Sequence, residues 1–205
     1  QTPVDFLSED DVIEGRARDY QLIYVTQQWL HSRALDALTK WVEAGGTLIR
    51  FAGPRLAAQS DDLLPVQLRE GDRAMGGAMA WSVPQGLTQF AESSPFAGLD
   101  INEEVTVTHQ VLAQPELTLN DKTWARLADG TPLVTGTRRG EGWTVLFHVT
   151  ANQDWSTLSS SGLYVEMLRR LLRLSNTTVS AASFGEGRTL LPPYLTLDGY
   201  GRLQT

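Results

Sequence analysis

The stretch "ALDALTKWVEAGGTLIRFAGPR", residues 34–55, decides the fold of this chain. Apolar residues spaced three and four apart predict a helix with one buried stripe, formed by Leu35, Leu38, Trp41 and Val42. Gly45-Gly46 ends the helix, because glycine tolerates the left-handed cap, and residues 47–53 read as a buried strand. With the apolar run at 20–26 ahead of it, this segment predicts a βαβ unit whose two strands are parallel neighbours.

The segments on either side of this unit carry weaker signals. Val4–Leu7 is a candidate strand, and Ser8 is a candidate N-cap for an acidic helix start. Residues 104–112 alternate as a strand does, and residues 123–150 predict three strands joined by hairpin turns at Asp129-Gly130 and at residues 139–142.

The last helix is expected to start at Ser159–Ser161 and to end at Leu174. Beyond it the chain is rich in Ser, Thr, Gly and Pro. We therefore predict an α/β domain at residues 1–174 and a linker or peripheral arm at residues 175–205.

The composition narrows the classes of function. The chain has 205 residues, a formal net charge of −7 and no cysteine. The acidic balance argues against a nucleic-acid surface, and the missing cysteines exclude disulfides and thiolate metal sites within this sequence. We find no metal-ligand spacing and no phosphate-binding glycine loop, so we expect neither a metal nor a cofactor. Because the sequence begins with Gln1, we interpret it as a processed product or an excerpt of a longer chain.

The candidate site residues follow the ends of two predicted strands. Gly53, Pro54 and Arg55 lie where many α/β enzymes carry a nucleophile elbow, but none of them is a nucleophile. A tight turn leaving the sheet explains this loop, and the other interpretation is anion binding by its N–H groups and Arg55.

A second group of candidates follows the strand that ends at His148, with Asp154 and Trp155 shortly after. These six residues, Gly53, Pro54, Arg55, His148, Asp154 and Trp155, are our candidate ligand-lining set. We assign none of them as catalytic. Of the other histidines, His31 is expected to be exposed and His109 to be a hydrogen-bonded core residue.

Two alternatives remain open. A hydrolase could use His148 oriented by Asp154 to activate a water molecule. A carbohydrate-binding module could use the aromatic faces of Trp124, Trp143 and Trp155, although these residues can equally fill a core.

Two segments carry a resemblance to known families. "LTKWVEAGGTLIRFAGPRL" resembles the helix–GG–strand segment of class I glutamine amidotransferase-like domains, including the non-enzymatic branch with the trimerisation domain of some β-galactosidases. "DGTPLVTGTRRGEGWTVLFHVTANQDWSTLSSSGLYVEMLRRLL" is similar to a domain of large bacterial membrane proteins with BatA-type transmembrane segments at the N-terminus.

The resemblance implies a flavodoxin-like three-layer α/β sandwich, with a mostly parallel sheet and an antiparallel hairpin extension. It also implies lost chemistry. Gly53-Pro54 stands where the amidotransferases carry their catalytic Cys elbow, and Val149-Thr150 follows His148 where they carry Pro and Glu.

The expected function is therefore that of a non-catalytic interaction or ligand-binding domain. The resemblance further implies a bacterial envelope protein, with this domain periplasmic or extracytoplasmic and anchored through segments outside this chain. A protein partner in the envelope is expected, and the oligomeric state is left open.

Overall fold

The computed structural model describes residues 4–26, 29–58, 60–69, 78–101 and 105–183, the strand pairs 196–197 and 203–204, and side chains as far as Ser175. Helix α1 spans Glu9–Ile13 and begins, as predicted, after Ser8. The Ser8 hydroxyl accepts from the Asp11 N–H at 3.2 Å, and the Asp11 carboxylate accepts from the Ser8 N–H at 2.9 Å. The Asp11 carboxylate also accepts from the Ser8 hydroxyl at 2.7 Å. This bond, the bond from the Ser8 N–H and that from Arg16 lower the pKa of Asp11 to about 2. The prediction of a strand at Val4–Leu7 is wrong: these residues pair with no strand, and Val4 and Phe6 are exposed.

The predicted βαβ unit is confirmed. Strand β1 spans Leu22–Val25, helix α2 spans Ser32–Glu43 and strand β2 spans Thr47–Phe51. The two strands are parallel, with Leu22 opposite Thr47. Gly45 adopts a φ of 118° in the turn after α2, which is a left-handed conformation that favours glycine.

Five further strands complete a seven-stranded sheet in the order β1-β2-β7-β6-β5-β3-β4. They are β3 (Ala78–Phe90), β4 (Thr106–Val111), β5 (Thr123–Leu127), β6 (Pro132–Arg139) and β7 (Gly142–Phe147). Strands β5, β6 and β7 form the two predicted hairpins. In the turns, Gly130 and Gly140 have positive φ values of 86° and 58°, which is why glycine suits both positions.

The sheet is mixed, so the expectation of a mostly parallel sheet is not confirmed. The β1–β2 and β2–β7 pairs are parallel, whereas the β7–β6, β6–β5, β5–β3 and β3–β4 pairs are antiparallel. The reason is the hairpin series: tight turns between consecutive strands force antiparallel neighbours, and only β7 joins the βαβ unit from a distance along the chain.

Helices cover both faces of the parallel part of the sheet. Alternate residues of β2 point to opposite faces, so Leu48 packs with Leu38, Trp41 and Val42 of α2, whereas Ile49 lies in the other core layer. Helix α5, which spans Gly162–Ser183, covers that other layer with Leu163, Met167 and Leu171.

The remaining elements include two short helices and the C-terminal segment. Helices α3 (Pro54–Ala58) and α4 (Leu119–Lys122) are short. Helix α5 continues to Ser183, past the predicted end at Leu174, so the predicted domain boundary falls inside a helix. Most of the predicted arm lies outside the described residues, apart from the paired strands β8 (Thr196–Leu197) and β9 (Leu203–Gln204).

Candidate functional site

The carboxyl ends of β2 and β7 form the place where an open α/β sheet of this kind would hold a ligand. After β2 the chain turns into α3, whose Leu56 and Ala57 pack with Leu146 on the face that α2 covers. After β7 it runs through Leu158 to α5 on the opposite face. Two adjacent parallel strands that leave the sheet in opposite directions define a topological switch point. The candidate residues of the sequence analysis flank this point.

Gly53, Pro54 and Arg55 form the start of a helix. Gly53 is buried, and its carbonyl oxygen accepts from the Ala57 N–H at 3.0 Å. Pro54 takes the first position of α3, where the missing N–H of proline would have no partner in any case. The side chain of Arg55 is exposed. The segment carries no nucleophile, and anion binding there stays a prediction.

His148 is fully buried at the end of β7, with both ring nitrogens within hydrogen-bonding distance of protein groups. Nδ1 lies 2.8 Å from the Val111 carbonyl oxygen, and Nε2 lies 3.0 Å from the Thr135 hydroxyl. The carbonyl can only accept, so Nδ1 carries the hydrogen and Nε2 accepts from Thr135. The main chain of His148 adds two bonds, from its N–H to Leu133 and from the Val111 N–H to its carbonyl oxygen, both at 2.9 Å.

Burial fixes the protonation state of this imidazole. Desolvation lowers the pKa of His148 to about 4, and the bond to the Val111 carbonyl offsets only part of that effect. At neutral pH the ring is therefore a neutral structural link between β4, β6 and β7.

A ribbon of the chain's own residues fills the crevice at the switch point. Residues 67–69 pair with residues 112–114 through an antiparallel bridge between Leu68 and Ala113. Leu68 and Val111 then pack against Ala52, Leu56 and Leu146, and all of these side chains are buried. The ribbon puts apolar side chains where a substrate would otherwise enter.

Asp154 and Trp155 lie near His148 in the sequence but do not act with it. Asp154 is exposed, and its carboxylate accepts from the Asn152 side-chain amide at 2.6 Å. Trp155 stacks on His109 with ring centroids 6.0 Å apart, and its carbonyl oxygen accepts from the Thr108 N–H at 2.8 Å. His109 is half-buried, so its predicted place in the core is wrong, whereas His31 is exposed as predicted.

The three tryptophans of the carbohydrate alternative do not share a surface. Trp124 is 4% exposed and packs edge-on against Phe96. The half-buried Trp143 lies against Trp124, with ring centroids 5.6 Å apart, whereas Trp155 contacts His109. Trp124 therefore offers no open ring face to a sugar.

An ion pair whose arginine is buried was missed by the sequence analysis. Arg50 on β2 is 1% exposed, and its Nη1 donates to both carboxylate oxygens of Asp61 at 2.7 and 2.6 Å. Nε and Nη2 of Arg50 are buried and make no hydrogen bond. The signal in the sequence was a single arginine inside the apolar run TLIRF, because a buried charge requires a partner.

The structure also contains an open polar pocket of about 460 Å³ that none of the candidate residues line. Asp61, Asp62, Gln67, Glu116 and Lys122 are among its lining residues. Over the described ranges, no three His, Asp or Glu side chains come together in a way that could hold a metal ion.

Comparisons with known proteins add the fold and no family. No family model matches the sequence, and no curated protein matches it. Among solved structures, the cytoplasmic protein STM3548 from Salmonella typhimurium is similar, with a TM-score of 0.60 at 15% identity, over 83% of this chain and 76% of that one. The cytoplasmic protein STM1381 from Salmonella typhimurium LT2 has a TM-score of 0.59 at 14% identity, over 87% and 81%. The GH42 β-galactosidase Gan42B has a TM-score of 0.47 at 11% identity, over 78% of this chain and 22% of that one.

These comparisons and the fold define the class as an α/β protein with an open, mixed seven-stranded sheet. They also correct the expectation of an amidotransferase-like, BatA-type periplasmic domain of a membrane-anchored envelope protein. The two similar structures with TM-scores near 0.6 are titled as cytoplasmic proteins. In the part of the chain that the structure describes, none of the helices has both the length and the apolar character of a membrane span.

Proposed function

We propose that this chain is a non-catalytic interaction domain that binds a protein partner through the open edge of its sheet. The filled crevice between β2 and β7 carries this proposal. Leu68 and Val111 of the chain itself occupy the position where the fold would place a ligand, and His148 binds to the sheet beside them. At the position where an open α/β sheet would hold a ligand, this chain therefore has packed core side chains.

The hydrolase alternative would require several native contacts to break. A general base needs a free lone pair near the substrate, but Nε2 of His148 accepts from Thr135 and the ring is fully buried. The imidazole is oriented by Val111 and Thr135, whereas the exposed Asp154 bonds to Asn152. This geometry favours the interaction proposal over an enzyme built on His148.

The open edge gives the interaction a place. Among the described strands, β1 ends the sheet and pairs with β2 alone. The Gln21 carbonyl oxygen accepts from the Thr47 N–H at 3.0 Å, so alternation along the strand directs the N–H and C=O groups of Leu22 and Tyr24 away from β2. No described backbone group bonds to these outward groups. An extended segment of another protein fits such an edge, because it supplies the matching main-chain groups.

The catalytic alternative is tested with the purified chain. Ammonia release from L-glutamine and hydrolysis of p-nitrophenyl acetate are measured for the wild type and for His148→Gln and Asp154→Asn, which change the two residues on which that alternative depends. We expect background rates in all three. Turnover that is present in the wild type and lost in both variants would refute the proposal.

The interaction itself is tested by placing a photo-crosslinking amino acid at Tyr24 in the source cells, with Glu141 in the opposite β6–β7 turn as the control position. We expect discrete adducts from position 24 and no adducts from position 141. The adducts should disappear when Leu22→Pro removes an outward N–H group. Adducts that survive this substitution would show that the edge does not carry the interaction.

A further inference from the structure

The edge strand β1 is short, at four residues, but it carries neither lysine nor proline and no bulge. Proteins protect such edges with lysine, proline or a bulge. The sequence of β1 is Leu-Ile-Tyr-Val, and its register with β2 is regular from Leu22 to Val25. At the other end of the sheet β4 is covered, because Thr108 donates to Trp155 and Thr157 donates to Thr106. One edge is thus closed by the fold, whereas no residue of the described ranges covers the other, and that edge is uncharged.

The spacing of the outward groups makes this edge complementary to itself. The main-chain N–H and C=O groups of Leu22 and Tyr24 point away from β2, whereas those of Ile23 between them point toward β2. If a two-fold axis passes beside Ile23, Leu22 of one copy lies opposite Tyr24 of the second copy in an antiparallel pair. Each such pair exchanges two main-chain hydrogen bonds, and the symmetry repeats the pair on the other side of the axis.

The geometry points to a second copy of this chain as the occupant of the β1 edge, forming a two-fold dimer with a continuous sheet across the interface. This inference rests on the proposed interaction function and names its partner. The side chains fit the arrangement. Tyr24 is 37% exposed and would lie beside Leu22 of the second copy, on the face where its hydroxyl contacts that of Tyr164 at 2.8 Å. The strand contains no charge, so the pairing brings no like charges together within the edge.

The first experiment measures mass in solution. A four-residue edge forms a small interface, so we expect the weight-average mass to rise from one to two chain masses between about 1 and 200 μM, the single chain being 22.6 kDa. Tyr24→Pro removes an outward N–H group without touching the β2 ladder and should keep the chain monomeric. Tyr24→Ala, which loses the same ring but keeps the N–H group, is the matched control and should still dimerise.

The second experiment fixes the register and uses the absence of cysteine from the chain. The two copies of Ile23 would form a non-hydrogen-bonded pair, with Cα atoms about 4.5 Å apart, so Ile23→Cys should give a disulfide-linked dimer under mild oxidation. In the same register Val25 lies opposite Gln21 of the second copy, which separates the two Val25 Cα atoms by more than about 13 Å. Val25→Cys should therefore not crosslink.

Three results would overturn the inference: a wild-type chain that stays monomeric over the whole concentration range, a dimer that Tyr24→Pro leaves intact, or crosslinking through Val25→Cys with none through Ile23→Cys. The photo-crosslinking of the previous section separates this failure from failure of the proposed function. A monomer whose Tyr24 adducts contain a different protein would retain the interaction domain and reject the second copy.

Discussion

The buried His148 predicts a specific loss of stability on mild acidification. Its pKa is lowered to about 4 in the folded chain, whereas an unfolded histidine titrates near 6.5. The folded state therefore binds fewer protons, and the stability that His148 contributes is complete above about pH 6.5 and falls as the pH approaches 4. From these two pKa values, the free energy of unfolding should decrease by about 2 kcal/mol between pH 7 and pH 5 through this group alone.

The measurement is urea unfolding at pH 7 and pH 5 for the wild type and for His148→Gln. The variant should be about 1–3 kcal/mol less stable at pH 7, because Thr135 and Val111 lose their partner, but it should lose about 2 kcal/mol less on acidification. Comparing the two proteins cancels the contributions of the other groups. Equal pH dependence in both would refute the argument. Imidazole ¹⁵N shifts of the wild type provide a second readout, and they should show hydrogen on Nδ1 throughout this range.

Two further substitutions test the packing that positions the site. Gly142→Ala should lower the free energy of unfolding by more than about 3 kcal/mol, because a Cβ there would lie 2.2 Å from the carbonyl oxygen of Val42. Thermal unfolding measures the loss. Gly86→Ala is the control, because a Cβ at that position would meet nothing within 4 Å. Asp61→Ala should lower the free energy of unfolding by about 3–5 kcal/mol, because it leaves the guanidinium of Arg50 buried without a counter-ion. Adding Arg50→Met should recover most of this loss, as measured by urea unfolding. A double variant no more stable than Asp61→Ala would contradict this account.

The parts of the fold that the sequence predicts correctly are those with short-range causes. The βαβ unit follows from the apolar stripe of α2 and from Gly45, which lie within one continuous stretch. The β5–β6 and β6–β7 hairpins follow from turns whose glycines adopt positive φ values. In each case the residues that determine the structure are neighbours in sequence.

The parts that the sequence does not reveal depend on long-range pairing. Thr47 lies beside Trp143 in the sheet, and no pattern among neighbouring residues predicts that β7 pairs with β2 in parallel. The switch point was therefore located only approximately, through Gly53 and His148. The sequence placed His109 in the core because it alternates with valines. Val107 and Val111 are fully buried, but the His109 ring between them is only half-buried, against Trp155. The sequence also did not reveal the pair of Arg50 and Asp61, which are separated in the chain by helix α3.

The same geometry explains both why a reaction site was expected at the switch point and why we propose none there. Adjacent strands that diverge at their carboxyl ends leave a crevice that must be filled by a ligand, by water or by the protein itself. Here Leu68 and Val111 fill it, and two hydrogen bonds join Val111 to His148, one between the main chains and one from the imidazole Nδ1 to the Val111 carbonyl oxygen. To recover a base, the chain would have to withdraw Val111 and charge an imidazole that burial keeps neutral, and each step would cost native stability. The edge of β1 requires no such change, because no backbone group in the described part of the chain pairs with the outward groups of Leu22 and Tyr24.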